Sequence, residues 1–190
     1  MIGILKTAGQ AATSEMMTHP KLTVRELEEK DIPLLADYWF NASPEHLTGM
    51  GVDVAKLPER EMFENRLRKQ LELPYNEKEA YALIWEVNGE PTGHSNLNPV
   101  IYNGHGFMHL HLWHSTLRSK GMGTEFIKMS LPYFFGNMKL RLLYCEPYAL
   151  NPAPHRILEK SGFKFVKEYI TTPGSITFEQ PVKLWEIKRG

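Results

Sequence analysis

The sequence predicts a mixed α/β fold, one sheet that is antiparallel in its middle and flanked by helices. Three observations lead there. Apolar alternation over Ala80–Val87 runs into Asn88-Gly89, a pair preferred in two-residue hairpin turns because both positions tolerate positive φ. Other strand-like runs are broken by single helical stretches, the pattern of a sheet covered by helices. Hydrophobic residues are 42% and charged residues 23% of the 190, near globular averages, so a packed core is expected.

The elements follow in order. Residues 1–20, rich in Ala, Gly, Ser and Thr without periodicity, read as a flexible leader, and residues 21–190 as a single domain. Leu22–Leu27 alternates as a strand. Asp31 is placed to cap a helix over Ile32–Phe40, with Pro33 in its first turn. Ala42–Leu57, holding Pro44, Gly49 and Gly51, reads as a loop. Phe63, Leu67 and Leu71 mark a helix over Pro58–Leu71. The hairpin strands are Ala80–Val87 and Pro91–Asn98, and Phe107–His114 is the next strand. Gly121–Phe135 is helical in pattern, Lys139–Glu146 a strand, and Asn151–Ser161 a helix stopped by Gly162. Phe163–Ile170 and Phe178–Ile187 close the chain as strands.

Composition narrows the function. Lys plus Arg and Asp plus Glu number 22 each. The zero formal charge argues against bulk electrostatic binding to nucleic acid or an anionic membrane. The lone cysteine, Cys145, cannot form an internal disulfide, and a cytoplasmic setting fits. No run approaches the roughly 18 apolar residues that span a bilayer, and no signal peptide is recognisable.

The chemistry concentrates in Trp113–Thr124. A strand there runs through Arg118-Ser119-Lys120-Gly121-Met122-Gly123 into a helix. Unpaired amides at a helix N-terminus, approached through glycine, bind phosphate, and Arg118 and Lys120 add charge. The spacing differs from that of a nucleotide P-loop, and the third glycine of the dinucleotide fingerprint is missing. Taken alone, Gly121 and Gly123 equally well shape a turn.

Arg-x-x-Gly-x-Gly after an apolar strand resembles the acyl-CoA pyrophosphate loop of GNAT acetyltransferases. Asn151-Pro-Ala-Pro-His-Arg-Ile-Leu-Glu-Lys-Ser-Gly-Phe163 resembles that family's second CoA-contacting helix, in a form similar to the ribosomal-protein N-terminal acetyltransferases. The resemblance covers about Leu22 to Lys188. It implies a mostly antiparallel sheet of about seven strands, splayed between strands 4 and 5 and flanked by about four helices. It implies acetyl-CoA as co-substrate, no metal, and transfer to an amine by direct attack in a ternary complex. Pantetheine would lie on the strand edge at Leu112 and Trp113, pyrophosphate on Arg118, Ser119, Lys120, Gly121, Met122, Gly123 and Thr124, and Asn151 would reach the pantetheine arm. The acceptor is a peptide N-terminus or a small-molecule amine, and a monomer or homodimer is expected.

The chain departs from the family at its acid and base. Phe107 and Met108 stand where many members carry an acidic base, and Leu158 where many carry a tyrosine. His109 and His111 share one strand face and are the leading proton-transfer candidates. Glu146 follows, with Tyr148 as the acid for the leaving thiolate. The backbone N–H of His111 or Trp113 would stabilise the carbonyl oxygen. A metal cluster of His109, His111 and His114 is the weaker alternative. Trp39, Phe40, Trp85 and Trp185 read first as core, and the segment Pro44–Lys56 either shapes the acceptor mouth or is a plain connection. The missing acid and tyrosine keep a second class open, a non-catalytic acyl-CoA-binding sensor or partner-binding module.

Overall fold

The computed structural model describes residues 20–117 and 121–190. The expected leader up to residue 19, and Arg118, Ser119 and Lys120 of the glycine turn, lie outside the described residues. The strands are β1 (Leu22–Glu26), β2 (Tyr81–Val87), β3 (Glu90–Val100), β4 (His105–Leu112), β5 (Leu142–Cys145), β6 (Lys164–Thr171) and β7 (Gln180–Lys188). The helices are α1 (Ile32–Phe40), α2 (Pro44–Gly49), α3 (Arg60–Glu72), α4 (Met122–Asn137) and α5 (Pro152–Lys160).

The strands form a seven-stranded sheet in the order β1-β2-β3-β4-β5-β7-β6. Every pairing is antiparallel except β4–β5. The hairpin turn is as expected, with Asn88 and Gly89 at φ 55° and 85°. β2 is buried on both faces, which explains its nearly unbroken apolar run. Tyr81, Leu83 and Trp85 enter the main core under α4 and α5, together with Leu97, Met108, Phe126, Phe134, Leu143 and Leu158. Ile84 and Ala82 face the opposite way and join Leu35, Phe63 and Leu67 of α1 and α3.

Two expectations need correction. The stretch read as a loop over Ala42–Leu57 contains α2, started by Ser43, whose hydroxyl accepts the His46 N–H, with Pro44 in the first turn. Among the described residues there are thus five α-helices, where about four were expected. Asp31 precedes α1 but makes no side-chain cap. Its buried carboxylate takes both terminal nitrogens of Arg25, at 2.6 and 2.8 Å, and the Glu28 N–H at 2.9 Å. Burial alone would raise the Asp31 carboxyl, but Arg25 and that N–H outweigh it and hold it below the ordinary carboxylate range.

The feature that positions the site is the parting of β4 from β5. They pair only from His105–Leu142 to Phe107–Tyr144. β4 stays with β3 as far as Leu112 opposite Gly93. After Cys145 the chain stays with β7 through Pro147. Its carbonyl accepts from Lys183, Ala149 donates to Pro181, and Tyr148 bridges Val182. A gap therefore opens beside residues 108–112.

Candidate functional site

Strand alternation sorts the residues around the gap. Met108 is buried toward α4, so Phe107, His109 and His111 point to the α1/α3 side. Tyr144 stacks on Phe107 at 5.2 Å, and Glu146 lies on that same side of the β5 segment. The backbone alternates as well. The Trp113 N–H donates to the Thr92 carbonyl at 2.9 Å, so the amides of Trp113, His111 and His109 face β3. Those of Leu112 and Leu110 face the gap. The amides of His111 and Trp113, expected to stabilise a carbonyl oxygen, are therefore turned to β3 and away from the gap.

The helix entered by the glycine turn begins as its pattern requires. Gly121 caps α4 in the left-handed region at φ 77°, where a side chain is strained, and no atom would contact its added Cβ. Gly123 is glycine for a different reason. It is buried, and a Cβ there would come within 3.0 Å of Ile157 Cδ1, so this residue lets α4 pack on α5. Met122 is buried and Thr124 half-buried, its N–H bonded to the Gly121 carbonyl at 3.1 Å. Asn151 caps α5, its side-chain oxygen accepting from Ala153 at 3.3 Å.

The titratable groups meet on the α1/α3 side. The His109 Nε2 lies 2.9 Å from the Asn98 carbonyl. A carbonyl only accepts, so Nε2 carries the hydrogen and Nδ1 the lone pair. Burial pushes this imidazole down, against the Asn98 carbonyl and the Glu146 charge, which both pull it up. His111 is held well below its ordinary value by burial and by His94, His109 and His46. Its Nδ1 lies 3.1 Å from the Tyr38 hydroxyl. Glu146 accepts a short hydrogen bond from Tyr169, whose phenol burial and Glu146 push up to about 12. His109, His111 and Glu146 are thus brought to one side of the gap. Tyr148 stands apart, its ring 6.0 Å from that of Phe178 in the β6–β7 loop. Among the described residues no three His, Cys, Asp or Glu side chains are grouped to hold a metal ion, and His109, His111 and His114 do not converge.

Three residues in this cluster escape a reading by motif. His94 of β3 lies directly opposite His111, and their rings stack at 4.7 Å. Tyr38 and Trp39 of α1 place their rings 5.4 and 4.9 Å from that of His111. Only strand register reveals the first, and only tertiary packing the other two. Of the four aromatics read first as core, Trp85 is core, stacked on Phe126 at 5.0 Å, and Phe40 packs on Phe63. Trp185 lies against His155 and Phe165. Cys145 is buried and its thiol pushed up by burial, the state of an inert cysteine.

The segment after α2 is held by a clasp. Gln180 donates to the Gly51 carbonyl at 3.0 Å, Val52 pairs with Thr177, Asp53 N–H bonds the Ile176 carbonyl at 2.9 Å, and Lys56 reaches the Thr177 carbonyl at 2.8 Å. Gly51 sits at φ 88°, and a Cβ there would run into Gln180. The segment after α2 is therefore a built wall tied to the β6–β7 loop.

Comparison with known proteins supplies the context. Curated protein sequences give no match. The fold is shared with RimL, the ribosomal L7/L12 α-N-protein acetyltransferase, in complex with coenzyme A (TM-score 0.70, 12% identity, 88% of this chain and 93% of that one). It is shared with the spermidine N-acetyltransferase of Vibrio cholerae in complex with CoA and spermine (TM-score 0.70, 18% identity, 88% and 95%). The aminoglycoside acetyltransferase AAC(6')-Ib, in complex with coenzyme A and kanamycin, is similar as well (TM-score 0.66, 18% identity, 89% and 95%). Residues 21–164 match the model of the acetyltransferase (GNAT) domain, so the chain belongs to the GNAT acetyltransferase family.

Proposed function

We propose that this protein is an acetyl-CoA-dependent N-acetyltransferase, a single domain over residues 21–190 working in the cytoplasm, which moves the acetyl group to a primary amine by direct attack. The observation that carries the reading is the parting of β4 from β5, whose open strand edge leads toward a helix entered through a left-handed glycine. Pantetheine lies along that edge as an added strand would, bonded to the backbone at Leu110 and Leu112. The α4 N-terminus at Gly121, Met122 and Thr124 faces the pyrophosphate, with Arg118, Ser119 and Lys120 assigned to the same group. Asn151 is assigned to the pantetheine arm, in addition to capping α5.

On the other side, the neutral imidazoles of His109 and His111 are the bases. Such a group accepts the amine's proton at neutral pH without first having to lose one. Glu146 supports His109, and Tyr148, which stands apart from this cluster, is kept only as the alternative acid for the thiolate. Holding amine and thioester together supplies most of the rate, so no covalent enzyme intermediate is needed. The RimL, spermidine and aminoglycoside enzymes accept a protein N-terminus or small amines, and both classes are candidate acceptors here. The tie between residues 51–56 and 176–180 supports a small-molecule acceptor, on the expectation that a mouth closed by the Pro44–Lys56 segment admits no extended peptide.

The test is release of CoA thiol from acetyl-CoA with a panel of polyamines, aminoglycosides, amino acids and N-terminal peptides. Amine-dependent release is expected, fastest with a small amine. Tight acetyl-CoA binding with no release across the panel would favour the non-catalytic sensor instead.

A further inference from the structure

The proton-transfer histidines belong to a larger ordered array. His111 lies between three rings: His94 stacks on it, tilted by 21°, Trp39 meets it edge-on, and Tyr38 bonds its Nδ1. His94 is in turn fixed by Trp113. The indole N–H, which only donates, bonds His94 Nδ1 at 2.8 Å, so His94 keeps its hydrogen on Nε2. Of these residues Tyr38 and Trp113 line an open cleft of about 380 Å³ together with Asp37, Asn41, His46 and His114. His94 is buried behind them.

We propose that Tyr38 is the group through which the acceptor amine loses its proton, passing its own phenolic proton to His111, with His94 and Trp113 as positioning residues behind the relay. The inference rests on the acetyl-transfer reading above. Its direction follows from acceptor strength. Among its described contacts the Tyr38 hydroxyl lies 3.1 Å from His111 Nδ1 and 3.3 Å from the Met50 thioether. A neutral imidazole nitrogen accepts far better than a thioether, so the phenol donates to His111 and turns its oxygen lone pairs toward an N–H. The groups facing His111 are Tyr38 from α1, His46 from α2, His94 from β3 and His109 from β4. Among the described residues none of these is a carboxylate, and Asp37 on the cleft wall is paired with Arg60 at 2.8 Å. His111 is therefore neutral and ready to accept.

The step balances. The amine nitrogen bonds to the thioester carbonyl carbon, its proton moves to the Tyr38 oxygen, and the Tyr38 proton moves to His111 Nδ1. The C–S bond then breaks with its electron pair on sulfur. The proton returns from His111 through Tyr38 to the thiolate, leaving amide, thiol and both side chains as they began.

Tyr38→Phe keeps the ring packing and removes only the hydroxyl. We expect kcat to fall about 100-fold, the scale of one acid–base group. Acetyl-CoA Kd, measured by calorimetry, should stay within about twofold because the change does not touch the strand edge. Tyr38→Phe/His111→Gln should lose little more than either single variant, as members of one relay do. His94→Phe keeps the stack but loses the Trp113 bond, and should lower kcat by about tenfold while leaving the amine KM unchanged. A kcat for Tyr38→Phe within threefold of the unaltered protein, or additive losses in the double variant, overturns the relay while acetyl transfer stands. Absence of thiol release by the unaltered protein with every amine overturns both.

Discussion

The two faces of the sheet are made differently. Under α4 and α5 the face is close-packed and apolar, with Trp85, Phe126, Phe134, Leu143 and Leu158 wholly buried. Its few polar atoms are paired: the Trp85 indole and the Ser95 hydroxyl both donate to Ser130, which donates to the Phe126 carbonyl. Under α1 and α3 the apolar contact is small, and near the gap it gives way to imidazole and phenol groups. Burying polar rings costs stability unless they are bonded, and here each ring has a named partner. On the proposed function the first face holds the sheet and the second carries the chemistry, so a change on one should leave the other's property largely intact.

Trp85→Ala tests that separation most severely. It removes a fully buried ring stacked on Phe126 and should cost about 3–5 kcal/mol of unfolding free energy in urea. His109→Ala/His111→Ala should do the reverse, lowering kcat at least about 100-fold while costing less stability than Trp85→Ala.

The pH dependence of stability sharpens the contrast. Burial lowers the histidines of the polar face, His94 to about 3. Their folded values lie below those of the unfolded chain, near 6.5. The unfolded state therefore binds protons first as pH falls. Stability should be complete above about pH 6.5 and decline as pH falls toward 3, His94 alone contributing a slope of about 1.4 kcal/mol per pH unit and the other lowered histidines adding in the same direction. Urea unfolding at pH 7 and pH 5 should show this decline, and His94→Phe should remove its share. Cys145, on the core face, is pushed the other way and does not titrate there.

Smaller effects belong to the glycine and the cysteine. Gly121→Ala places a side chain at φ 77° and should cost about 1 kcal/mol, read as a lower urea midpoint. Cys145→Ala should leave thiol-release activity within about twofold, since no step uses the sulfur.

Most of the frame was legible in local signals. Asn88-Gly89 marked the hairpin, Pro33 the start of α1, and Gly162, at φ 91°, the end of α5. α2 was missed although Ser43-Pro44 is a sound helix start, because Gly49 and Gly51 so close by read as loop. Gly51 serves the clasp instead, a contact with Gln180 far along the chain. Asp31 had the right position for a cap, but the half-buried Arg25 is the stronger partner. In the site, the spacing of His109 and His111 showed that they share a face. It did not show His94, whose place depends on the register of β3 against β4, nor Tyr38, brought there by packing of α1 on the sheet. Residues that act along one element were visible, and those that meet across elements were not.

The central claim is that the gap beside β4 is the cofactor cleft, with the chemical face on one side and the structural face on the other. A crystal structure with coenzyme A tests it directly. The account predicts the thiol end between β4 and β5 against residues 108–112, and the diphosphate at the start of α4. Density placing the cofactor elsewhere, with β4 and β5 enclosing nothing, would contradict it.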